Sequence, residues 1–87
     1  MFEIMAQDKN LPGTGTRIST VRELGQVIQN TRKGQGLTQV DISGLAHTGN
    51  RFVVDLENGK PTIQMQKVLD VLGLLGLELV VRNKASQ

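Results

Sequence analysis

The sequence predicts a small all-α domain of four or five short helices, followed by one extended strand that finds its partner in a second copy of the chain. Three observations predict this. At 87 residues there is material for one core and tails, with nothing left for a second domain. Apolar residues recur at helical spacing in segments separated by glycine-rich or Asn-Gly breaks. The last apolar stretch, Leu77-Glu-Leu-Val-Val81, instead has Leu77, Leu79 and Val81 on one face of a strand, leaving backbone groups that the rest of the chain hardly serves.

Residues 1–19 have no sustained helical period, and Leu11-Pro-Gly-Thr-Gly-Thr16 is rich in breakers, so the start of the chain reads as a flexible arm. Within it the short Phe2-Glu-Ile-Met5 is open to pairing as a strand. Thr20 with Glu23 forms a capping-box pattern, and Val21, Leu24, Ile28 and Thr31 follow at helical spacing up to the glycines at 34 and 36. Thr38 caps a second helix, with Asp41 placing negative charge near its positive end and Leu37, Ile42, Leu45 and Ala46 facing inward. His47-Thr-Gly-Asn50 makes a turn before a third helix, Arg51 to Glu57, which Asn58-Gly59 terminates. Pro61 and Thr62 start a fourth, running to about Leu75 with Gly76 as its stop. Its inward stripe is Met65, Val68, Leu69, Leu72 and Leu75, which leaves Val71 and Leu74 outside it for contact with a second subunit. The division is thus an arm over 1–19, a helical domain over 20–76, a dimerisation strand over 77–82 and a flexible tail over 83–87.

Composition narrows the chemistry. The absence of cysteine removes disulfides and thiolate sites, and a solitary histidine, placed in a turn, argues against imidazole clusters. No metal, cofactor or catalytic residue is expected, and Gly13-Thr-Gly15 lacks the lysine and the strand-to-helix setting of a phosphate loop. No stretch is apolar for the ~18 residues of a membrane span, and the start has no basic region followed by an apolar run, so a cytoplasmic protein is expected. The net charge of +2 permits nucleic-acid binding without implying it. With two phenylalanines and no tryptophan or tyrosine, a stacking platform for single strands is poorly supplied.

The third helix carries the functional signal. At about 100° per residue, Val53 and Leu56 point one way and Arg51, Val54 and Asp55 roughly the other, with Asn50 at the edge of the outer face. Periodicity alone fits an ordinary solvated face. The same residues also supply a bidentate donor, an acceptor and a small apolar surface, the groups that read base edges in the major groove of duplex DNA.

The spacing favours that second alternative. Arg32, Gly36-Leu37-Thr38-Gln39, Ile42-Ser43-Gly44-Leu45-Ala46, the run from Val53 to Pro61 and the run from Val68 to Leu79 resemble the phage-repressor-type helix-turn-helix family, lambda-repressor-like in fold, and within it the HipB-like antitoxins of HipA–HipB modules. The resemblance spans roughly Val21 to Val81. It implies that Gln39 touches a DNA phosphate, against a bland role beside the cap, and that Asn50, Arg51 and Asp55 read bases, Asp55 by accepting from cytosine or by repelling wrong bases. Phe52 either meets a thymine methyl or seals the core edge. Arg32 and Glu57 form an ion pair tying the first helix to the end of the reading helix, and Leu77 to Leu79 begin a strand shared across a homodimer. Lys33, Asn58 and Lys60 are candidate phosphate contacts, with solvated lysine as the plain alternative.

The expectation is therefore a sequence-specific repressor, dimerised through Val71, Leu74, Leu77, Leu79 and Val81 on a pseudo-palindromic operator, with a HipA-like serine/threonine kinase toxin as its protein partner. A stand-alone repressor and a protein-interaction module with a vestigial DNA face are the competing expectations.

Overall fold

In the computed structural model, which describes residues 15–84, the chain forms four helices: α1 (Val21–Gly34), α2 (Gln39–Leu45), α3 (Asn50–Glu57) and α4 (Met65–Leu74). The arm expectations on Phe2 to Met5, and the last three residues of the tail, lie outside the described residues.

Two reciprocal caps start the first two helices. The Thr20 hydroxyl accepts from the Glu23 N–H at 3.1 Å, and the Glu23 carboxylate accepts from Thr20 N–H at 3.2 Å. Thr38 and Asp41 repeat the exchange at 3.0 and 2.9 Å, so the acid does more at α2 than add charge to the helix end. The Thr38 backbone N–H, then its hydroxyl, hold the Asp41 carboxyl below the usual carboxylate range.

Eight side chains drawn from all four helices and the residue after α4 form the buried core: Ile28, Ile42, Val53, Leu56, Val68, Val71, Leu72 and Leu75. Leu24, Leu37, Ala46, Phe52, Ile63 and Leu77 pack around it. α3 packs against both α1 and α2, and the fit with α1 is close enough to involve backbone. A Cβ on Gly25, mid-way along α1, would lie 2.8 Å from the Glu57 carbonyl oxygen and closer still to that of Leu56. A Cβ on Gly59, which has φ +80 just past the end of α3, would lie 2.7 Å from Arg22 Cα. Glycine at these two positions is what lets the helices approach.

Several expectations are corrected. α4 begins at Met65 rather than at Pro61 or Thr62. Ile63 packs against the core and Gln64 is extended at ψ 114, so residues 61–64 carry the chain across from α3 before the helix starts. The inward stripe of α4 is Val68, Val71, Leu72 and Leu75, while Met65 and Leu69 are exposed. Val71 is 0% exposed and so has no surface to offer a second subunit. Leu45, expected inside, stands outside at the last turn of α2.

Residues 77–83 form no strand, and none exists among the described residues. A strand is defined by its ladder, and no ladder forms over this segment among the described residues. Its first residue turns back: the Leu77 N–H donates to the Leu72 carbonyl at 2.8 Å around Gly76, and the Leu77 side chain packs on the core. Leu77 therefore commits part of its side chain to the core of its own chain. Leu74, Leu79 and Val81 stay exposed.

Candidate nucleic-acid interface

Two polar networks, one buried and one at the surface, position α3. The buried network centres on Glu57, whose side chain is wholly enclosed. Arg32 donates to it twice, from Nε at 2.6 Å and from Nη2 at 3.0 Å, and spends Nη1 on the Leu37 carbonyl at 2.8 Å. Gln39 donates from Nε2 to the same carboxylate at 3.1 Å. One carboxylate thus ties α1, the start of α2 and the end of α3 together. Burial pushes the Glu57 carboxyl up, but the hydrogen bonds of Arg32 and Gln39 and the Arg32 charge outweigh it, leaving the carboxyl below its ordinary range. The Glu57 hydrogen bond likewise raises Arg32.

The surface network runs along the outside of α3. Arg51 is 85% exposed at its side chain and forms an ion pair with Asp55, its Nε 3.1 Å from Oδ1. Lys60, beyond the end of the helix, lies 3.6 Å from Asp55 Oδ2. Asn50 and Asn58 are exposed at the two ends of the face, and Val54 is half-buried within it. Phe52 sits to one side, half-buried against the core with the Lys67 ammonium 5.6 Å from its ring centroid, so its larger part serves packing.

The expected site residues therefore separate. Asn50, Arg51, Val54, Asp55 and Asn58 share one outward face with Lys60 beside its end. Gln39 belongs to the Glu57 network, with its second amide hydrogen left for another acceptor; this holding role was not among the alternatives the sequence suggested. Lys33 stands exposed in the last turn of α1. Among the described residues no grouping of acidic or histidine side chains is suited to hold a metal, and no helix is long and apolar enough to cross a membrane.

No family model matches the chain. It is 48% identical over 63 residues to an uncharacterised HTH-type transcriptional regulator, y4mF, of Sinorhizobium fredii (strain NBRC 101917 / NGR234), a match covering 72% of this chain and 83% of that protein. The chain belongs to the HTH-type transcriptional regulators. In this regulator α2 and α3 are the helix pair that names the family, joined by the turn through His47, which holds the left-handed angle φ 55. Solved structures carry the same fold at low identity. A chain of the HipA–HipB–O2–O3 complex matches with a TM-score of 0.74 over 80% of the regulator and 99% of that chain, at 16% identity. A chain of the HipB–O4 20mer complex matches at 0.73, with the same coverage and identity.

Proposed function

We propose that the chain is a sequence-specific DNA-binding repressor that works as a symmetric dimer, α3 entering the major groove of each half-site. The observation that carries this reading is the arrangement around α3. Val53 and Leu56 are buried and Glu57 is locked to Arg32, while Asn50 and Arg51 face outward with free donors. A helix held this rigidly on one side and furnished with bidentate groups on the other suits reading of base edges. Arg51 donates to guanine, Asn50 pairs with adenine and Val54 offers an apolar surface. Lys33, Lys60, Asn58 and the free amide hydrogen of Gln39 set the register through phosphates.

Residues 20–76 are the DNA-binding unit and 77–82 the dimerisation segment, with Leu74, Leu79 and Val81 as exposed apolar contacts. Pairing with the same segment of a second copy supplies the missing ladder and closes a two-fold interface. The likeness to HipB in its O4 20mer complex and in its complex with HipA supports a further step: this regulator is a cytoplasmic, non-enzymatic antitoxin that represses its own operon and binds a HipA-like serine/threonine kinase.

Selection of bound sites from random duplex DNA tests the first reading. A pseudo-palindrome with half-sites about one helical turn or a multiple apart is expected, and recovery of no common sequence refutes it. In the same assay Arg51→Ala relaxes selectivity at one base pair by about 1–3 kcal/mol. Copurification with a kinase encoded beside the gene separates the antitoxin from a stand-alone repressor.

A further inference from the structure

The Asp55 carboxylate does not stand in the open as an independent base reader would. Its side chain is 15% exposed, beside an Arg51 side chain that is 85% exposed. Both of its oxygens are turned to cations, Oδ1 to Arg51 Nε at 3.1 Å and Oδ2 toward Lys60 Nζ at 3.6 Å. The backbone repeats the link, since the Lys60 N–H donates to the Asp55 carbonyl at 3.0 Å. Holding arginine at Nε leaves its two terminal nitrogens outermost, and guanine offers a matching pair of acceptors at O6 and N7.

We infer that Asp55 is a specificity-determining positioning residue, a clasp that presents Arg51 to a base and joins it to the phosphate-facing Lys60, and that it reads no base itself. The inference rests on α3 being the reading helix. Accepting from cytosine would require the carboxylate to leave two cations and approach the phosphates as a bare anion. As a clasp it keeps both partners and removes rotational freedom from a long side chain before DNA arrives. An ion pair four residues apart on a helix, with its arginine exposed, adds little to folding stability, so the effect lies in binding.

The test is a double-mutant cycle on the full-length protein, using the best duplex from random selection, its single-base variants and a random-sequence duplex at ~0.15 M salt. Asp55→Ala is expected to lose about twofold to tenfold in discrimination, the factor for one unordered long side chain, at the base pair where Arg51→Ala also loses it. Binding to random duplex is expected to hold or strengthen, because a negative charge has been removed. In an Arg51→Ala background, Asp55→Ala should remove no further discrimination. Asp55→Asn, which keeps the shape and loses the charge, is the second variant should circular dichroism show the alanine protein misfolded, and the same base pair should respond. Loss at a different base pair, or an undiminished loss in the Arg51→Ala background, identifies Asp55 as a direct reader and overturns the clasp. Full discrimination by Asp55→Ala and Asp55→Asn overturns it too. Wild type and Arg51→Ala binding every duplex equally overturns instead the reading-helix assignment on which the clasp rests.

Discussion

Removing the Glu57 carboxylate should come close to unfolding the protein. Glu57→Ala leaves the Arg32 guanidinium, 8% exposed at its side chain, with one of its three hydrogen bonds, that to the Leu37 carbonyl, and deprives Gln39 of its acceptor. Taking one partner from a buried pair costs about 3–5 kcal/mol, because the remaining charge stays out of water without compensation. Total stability at 0.05–0.15 kcal/mol per residue is about 4–13 kcal/mol for 87 residues, so the loss is a large share of the whole. Urea denaturation followed by circular dichroism measures it as a fall in midpoint at unchanged slope. The companion Arg32→Met with Glu57→Leu removes both charges and should recover most of the loss, since an apolar pair of similar volume is often neutral or stabilising. A cost below about 1 kcal/mol for Glu57→Ala alone would mean that solvent reaches the pair, and would refute the claim that this contact anchors α3.

Gly25→Ala should destabilise by a net ~1 kcal/mol or more, although alanine favours a helix over glycine by about that amount, because the new methyl must push α1 away from the carbonyls ending α3. A thermal melt above the wild type's would show that the helices separate without loss. Stability should also fall in acid: Glu57 is held below its ordinary value of 4.5, so its contribution is complete above that pH and is lost as pH drops through the lower folded value. Urea midpoints between about pH 6 and 2 check this, and the acid limb should be shallower in Glu57→Gln. Ending the chain after Glu78 removes Leu79 and Val81 but keeps Leu77 in its core position; sedimentation should show weaker self-association with helical content retained. A truncated chain that remains fully dimeric would place the subunit contact elsewhere.

Much of the helical framework was legible because its signals are local. Thr20 with Glu23, and Thr38 beside its own acid, mark helix starts through bonds that span three residues, and Asn58-Gly59 marks an end by backbone angle alone. α4 was misphased for the opposite reason. Leu69, Val71, Leu72, Leu74 and Leu75 present apolar groups over most of a helix circumference, so several faces qualify and only packing with the rest of the core decides between them. On the site, the Arg32–Glu57 pair came through resemblance, since residues that distant in sequence carry no local mark of contact. Gly25 did carry a local signal, a helix-weakening residue on the face of Ile28 and Arg32, and a close helix approach follows from it. The role of Gln39 was out of reach, because an amide accepts almost any polar neighbour and only the fold supplies one.

The backbone contact between α1 and α3 has a consequence for how the protein can change over generations. Gly25 and Gly59, together with Val53, Leu56 and Glu57, hold α3, and none of them lies among the outward residues Asn50, Arg51, Val54, Asp55 and Asn58. Selection can therefore act on the two sets separately. Substitutions confined to the outer set leave the helix where it is and alter only what it presents, so under the proposed function a duplicated gene can diverge toward a new binding sequence without first passing through an unstable protein.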